Sequence, residues 1–151
     1  MQNMIAKKIT IPLSAARVLL GWLMLYAGLT KLLTPGWSAA RFLSGAKTLT
    51  GFYAWLATPG LIGIVNFLNA CGLTLLGISL LLGLFVRWTA WPGVLLMLLY
   101  YFASNALPAV SNGFLVDEHI VYASLLVIFF AADAGQYYGL DKLFQKKNIA
   151  S

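Results

Sequence analysis

The sequence predicts an all-α integral membrane protein, a four-helix bundle with an amphipathic interfacial segment between its first and second long helices. Three observations carry this. Hydrophobic residues make up 61% of the 151 positions and charged residues only 9%, with a mean hydropathy of +0.85. A soluble domain carries about 25% charged residues, so this chain lacks the polar surface to coat a globule in water. The apolar runs are long and do not alternate, and backbone groups in lipid must be satisfied within a helix or a closed barrel. Pro35-Gly36, Pro59-Gly60, Gly83 and Pro108 then divide one domain, residues 1–151, into four spans at about 11–33, 61–82, 88–106 and 117–134.

The first span starts near Ile9 or Ile11 and ends at Leu33. Arg17 and Lys31 lie fourteen residues apart in it, close to four helical turns, and share a face with Gly21, Met24 and Gly28. Small residues at that spacing let another helix approach closely in a membrane, so this face is a buried seam. No small-residue cleavage pattern follows Lys7-Lys8, and the segment is expected to remain as an uncleaved first span. Thr34 to Pro59 mixes aromatics and glycines with Arg41 and Lys47. Ser38 is placed to cap an amphipathic helix from about Ala39 to Leu49. Trp37, Phe42, Phe52, Tyr53 and Trp55 are residues of the interfacial belt. This segment reads as an anchoring loop or as a lid over a binding site.

The second span carries Asn66 and Asn69 in its first turns, which serve either as interhelical hydrogen bonds or as ligand contacts. The third has Pro92 in its first turn, where a missing N–H does least harm, and Tyr100, Tyr101 and Asn105 at its far end. Asn112-Gly113 makes the next turn. The fourth span opens with Asp117 and Glu118, which suit the helix dipole, and Gly135 is its expected stop. The tail beyond is expected to lie on the surface.

The net charge of +6 is scattered and does not point to nucleic acid. Lys7, Lys8, Arg17, Arg87, Lys142, Lys146 and Lys147 fall at the end of the terminal segments; Lys31, Arg41 and Lys47 fall at the other. That bias predicts a multi-pass protein of the plasma or inner membrane with both termini cytoplasmic, in contact with membrane lipid. Cys71 stands alone and reads as a small core residue. A thiol–disulfide relay needs a pair, and one His with one Cys cannot complete a bis-histidine haem, an iron–sulfur cluster or a closed zinc site, so no metal is expected.

All four acidic residues and the single histidine lie between Asp117 and Asp141. His119 and Asp133 are again fourteen residues apart, so an antiparallel pairing of the first and fourth spans predicts structural ion pairs of Arg17 with Asp133 and of Lys31 with Asp117 or Glu118. Ionisable residues inside a span are costly and normally paired. His119, Glu118 and Lys31 are the candidate catalytic residues, because His titrates near neutrality and Glu moves protons. Asn66, Asn69, Asn105 and Tyr26 would complete a pocket for a quinone headgroup or a small anion. The competing reading is a polar clamp that fixes helix order.

Four motifs carry a family resemblance. They are Arg17-x-x-x-Gly21 with Gly28-x-x-Lys31; Gly72-x-x-x-x-Gly77 with Gly83 and Arg87; Asp117-Glu118-His119-Ile-Val-Tyr122; and Gly135-Gln-Tyr-Tyr-Gly139-Leu140-Asp141. In order and spacing they resemble the DoxX family, including its DoxD-like members, the small membrane subunits of thiosulfate:quinone oxidoreductase. The resemblance implies a four-helix membrane protein and, for DoxD-like members, a subunit of a quinone-reducing complex with a partner subunit and thiosulfate as electron donor. Quinone is then the expected cofactor, with no group bound covalently, and a homo-oligomer is compatible with it. The alternative is a non-catalytic membrane adaptor or assembly protein of a redox or stress-response complex. A permease is disfavoured by the lack of internal repeats and of broken mid-membrane helices. The oxidoreductase reading predicts an enclosed polar cavity beneath the 34–59 segment, and the adaptor reading a filled bundle.

Overall fold

The computed structural model describes residues 2–110 and 113–143, with side chains from Lys8 onward. Asn112 of the expected turn, and Lys146 and Lys147 of the basic tail, lie outside the described residues. The chain is mostly helical. Its helices are α1 (Gln2–Leu33), α2 (Ala40–Ser44), α3 (Thr50–Leu56), α4 (Ile62–Leu82), α5 (Val86–Ser104) and α6 (Glu118–Ala131). A hairpin, β1 (Ala109–Val110) and β2 (Gly113–Phe114), joins α5 to α6, with Ala109 opposite Phe114. Lys8–Leu33 and Ile62–Leu82 are long and apolar enough to cross a membrane. At 1.5 Å per residue, α6 is shorter than the roughly 30 Å hydrocarbon core.

The α1 face expected to be a seam is one: Gly21, Met24 and Gly28 are buried. Its partner, however, is α4. A Cβ on Gly21 would lie 2.8 Å from the Leu81 nitrogen, one on Gly28 would overlap Thr74, and one on Gly77 would overlap the Leu25 backbone. Three positions without side chains therefore let the two backbones meet along their length. The second main pairing is α5 with α6, and α4 touches α5 between them. The core where they meet includes Met24, Leu73, Leu76, Leu80, Met97, Leu126 and Phe129.

This packing overturns the predicted ion pairs. α1 and α6 touch only briefly, so their charged residues do not meet end to end. Asp133 pairs instead with Arg87 at 3.1 Å. Arg17 is 1% exposed and donates from Nη2 to the carbonyls of Tyr137 and Tyr138 at 3.3 and 3.4 Å. Asp141 is the acid whose field reaches it, while the Asp141 carboxylate accepts the Phe85 N–H at 2.7 Å and the Val86 N–H at 3.3 Å. Lys31 donates to the Ala27 carbonyl at 3.1 Å, and Asp117 pairs with His119.

The physical reason lies in the turn after α6. The helix stops at Ala131 and Asp133 takes a left-handed conformation, φ 46°. That sends Asp133 outward and brings the following residues back across α1. Gly135 is therefore not the helix stop; it is buried where a side chain would overlap Asp141. The described part of the tail does not simply lie on the surface: residues 134–141 pack over Arg17 and the α4–α5 turn. Pro92 also differs from expectation. α5 begins at Val86, so Pro92 stands inside the helix.

Gly28→Ala forces a methyl group against α4 backbone and should cost about 1–3 kcal/mol, as overpacking does. Gly63→Ala, where nothing lies within 4 Å, should be neutral or slightly stabilising. Thermal unfolding of both variants in detergent checks this; equal effects would refute the close α1–α4 contact.

Candidate functional site

At one end of the helices, residues 34–61 fold back over the bundle as a cover. One amphipathic helix was expected there, and two short ones form. Gly45 closes α2, the Lys47 N–H turns aside to the Ala103 carbonyl at 3.1 Å, and Leu49 is left-handed at φ 52°. Side chains fasten the cover to α4 and α5. Asn66 Oδ1 accepts the Ala39 N–H at 2.8 Å and its Nδ2 donates to Ser38 Oγ at 3.2 Å. Ser38 Oγ also accepts the Ala40 N–H at 3.2 Å, but the residue at the N-cap of α2 is Ala39, so Ser38 does not cap the helix as expected. Thr48 donates to the Asn105 carbonyl at 2.7 Å, and Tyr53 to the Leu99 carbonyl at 2.7 Å. Tyr53 is thus no interfacial belt residue: it is 1% exposed, and burial raises its phenol above the usual value.

Beneath the cover lies a cavity of about 390 Å³. Its walls are mostly hydrocarbon, from Leu23, Met24, Ala27, Leu73 and Met97, and its polar groups are few: Lys31, Ser38, Asn69, Tyr100, His119 and Tyr122. Few polar groups converging in an apolar pocket of this size is the usual construction of a small-molecule site. Lys31 Nζ stands 5.5 Å over the Trp37 ring. Tyr100 donates to Asn69 Oδ1 at 2.8 Å, and its ring lies 5.5 Å from that of His119.

The His119 ring is held from behind. Its Nδ1 lies 2.8 Å from Asp117 Oδ2. An ionised carboxylate can only accept, so Nδ1 carries the proton and Nε2 is the ring nitrogen left for other chemistry. Asp117 is the N-cap of α6, accepting the N–H groups of His119 and Ile120 at 3.0 and 3.2 Å. Asn105, 1% exposed, donates to the same carboxylate at 2.7 Å. Burial works against ionisation of Asp117. The hydrogen bonds from His119, Asn105 and Ile120 together outweigh it and hold the carboxyl below the ordinary aspartate range.

Of the residues singled out in sequence, the fold brings Lys31, His119 and Asn69 to the cavity wall. Asn66 lies outside the wall and pins the cover. Asn105 sits one step behind, positioning Asp117. Glu118 is exposed at the start of α6 and Tyr26 is 64% exposed on α1; neither lines the cavity. Sequence reasoning missed Tyr100, Trp37, Phe42 and Tyr122 as wall residues, and Asp117 as the partner of His119. The signal for the last was present, because an N-cap Asp two residues before a His can accept from both its backbone and its ring.

The chain is thus helical, has two helices suited to crossing a membrane, and carries at one end a cavity that is half open and sparsely polar, not the enclosed polar one expected. The chain belongs to the DoxX family, a membrane-associated family whose model matches residues 13–106. Comparison with curated proteins and with solved structures finds no match. Lys31, Trp37, Asn69 and Tyr100 fall inside the matched region; Asp117 and His119 lie beyond it.

Because folding lowers the Asp117 carboxyl below its unfolded value, its contribution to stability is complete above the ordinary carboxylate range. It is lost as pH falls through the lowered value. Asp117→Asn should therefore flatten the acid limb of thermal stability against pH. Asp117→Ala also removes the cap and should cost about 1–2 kcal/mol at neutral pH. An unchanged acid limb in Asp117→Asn would show that other carboxyls set it.

Proposed function

We propose that this protein is the membrane subunit of a quinone-linked oxidoreductase complex, with a reduced sulfur compound such as thiosulfate as donor on a partner subunit. In this reading α1, α4, α5 and α6 form a four-helix membrane bundle, multi-pass, with both termini cytoplasmic, in a plasma or inner membrane. The basic residues gathered at the terminal end support that orientation. The observation that carries the functional reading is the 390 Å³ cavity where His119, backed by Asp117, meets Lys31, Asn69 and Tyr100. A filled bundle would have favoured the adaptor.

The chemistry follows from the groups present. Reduction of a quinone takes two electrons, supplied by the donor, and two protons. Protonated His119 would give its Nε2 proton to a quinone oxygen and keep its Nδ1 proton, hydrogen-bonded to the Asp117 carboxylate, which stabilises the imidazolium before transfer. Reprotonation from the cover end allows the second transfer. The Lys31 ammonium donates a hydrogen bond to developing negative charge on the second oxygen, where a low-dielectric wall strengthens it.

Quinone reduction by thiosulfate should be measured on the complex purified with its partners. His119→Ala should lower kcat by about 10²–10⁴, the usual contribution of a positioned acid. Lys31→Met should lower kcat/KM. Unchanged activity in both variants would show that the site is elsewhere. An intact complex in which no donor reduces quinone would favour the adaptor.

A further inference from the structure

A second cavity, of about 250 Å³, lies against the first. The two share Ala39, Phe42, Asn69 and Tyr100. The wall between them is therefore side chain, not backbone: the Asn69–Tyr100 hydrogen bond, and the Phe42 ring set edge-on to Tyr100 at 5.7 Å. Beyond that partition the lining is hydrocarbon from Leu56, Val65, Leu68, Leu96 and Leu99. The hydroxyls of Tyr53 and Tyr100 are already engaged, with the Leu99 carbonyl and Asn69 respectively. Apart from Asn69 at the partition, the slot offers a ligand hydrocarbon. At its rim Phe52 is 43% and Leu68 62% exposed, so the slot opens sideways between the cover and α4.

We infer that this slot takes the hydrocarbon tail of a membrane amphiphile whose head occupies the His119 cavity, and that the ligand enters laterally from the lipid. The inference rests on the proposed reading for the identity of the head, and on the two cavities for the tail. The tail is not held there by the hydrophobic effect, because lipid is as apolar as the slot. It is held by close packing and by its tether to a head on the polar groups of the first cavity. The joint site therefore selects a head and a tail on one molecule over either part alone.

The test uses the full chain in lipid nanodiscs and three probes. These are a tailless benzoquinone, a benzoquinone with a decyl tail ending in a diazirine, and a fatty acid with the same diazirine tail. Head binding is read as fluorescence quenching lost in Trp37→Phe, and tail placement as the peptides labelled after illumination. The tailed quinone should label residues 52–56 and 65–68 and be displaced by excess tailless quinone. Leu68→Phe, at an exposed position that folding tolerates, should reduce that labelling about tenfold, or about 1.4 kcal/mol, and leave quenching by the tailless probe unchanged. Leu96→Phe is the second variant and should act alike. Trp37 quenching with labels spread over the exposed α1 face around Leu19 would overturn the slot and leave the head reading intact. Labelling of the slot by the fatty acid with no Trp37 quenching by either quinone would support the slot and overturn the quinone head.

Discussion

The contact between α1 and α4 sets the rest of the structure. Gly21 and Gly28 on one helix and Gly77 on the other leave no room for a Cβ, and the backbones close together. Two helices in lipid gain little from apolar burial against each other, so close packing at small residues is what holds them. Once α1 is committed to α4, it cannot also run along α6. α6 packs on α5, and the gap between the two pairs at one end becomes the cavity of about 390 Å³. A bulky residue at Gly28 would push α1 from α4 and open the cavity wall that Met24 and Ala27 supply.

Polar groups at the cover end divide into two kinds of work. Asn66, Thr48 and Tyr53 spend their hydrogen bonds holding the cover to α4 and α5. Asn105 and Asp117 spend theirs on the orientation of His119. Lys31 and the second ring nitrogen of His119 are thereby presented to a cavity whose remaining lining is apolar. At the opposite end Arg17 is covered by the returning tail, and the Arg87–Asp133 pair, with side chains 60% and 41% exposed, contributes little.

Much of the candidate site was legible because rare residues in an apolar chain are conspicuous. Lys31, His119 and Asn69 stood out in that way and all reach the cavity wall. Tyr26 stood out equally and faces outward, since its place on the α1 surface depends on which side α4 occupies. Tyr100 and Trp37 did not stand out, because aromatic residues near a span end are ordinary in a membrane chain. The matched fourteen-residue spacings of Arg17–Lys31 and His119–Asp133 were real but did not imply contact. Equal spacing fixes the distance along each helix and says nothing about which helix is its neighbour.

By itself, the sequence determined the helical class, the near-continuous apolar spans, the seam along Gly21, Met24 and Gly28, and the family. The first three follow from composition and from residue periodicity, which are local properties; the family follows from the order and spacing of its motifs. Only the tertiary structure decided that the seam meets α4, that Asp133 turns to Arg87, and that Asp117 belongs to His119. Those pairings depend on the path of the chain after each helix ends. The left-handed turn at Asp133 returns the tail to Arg17, and no periodicity within a helix encodes that step.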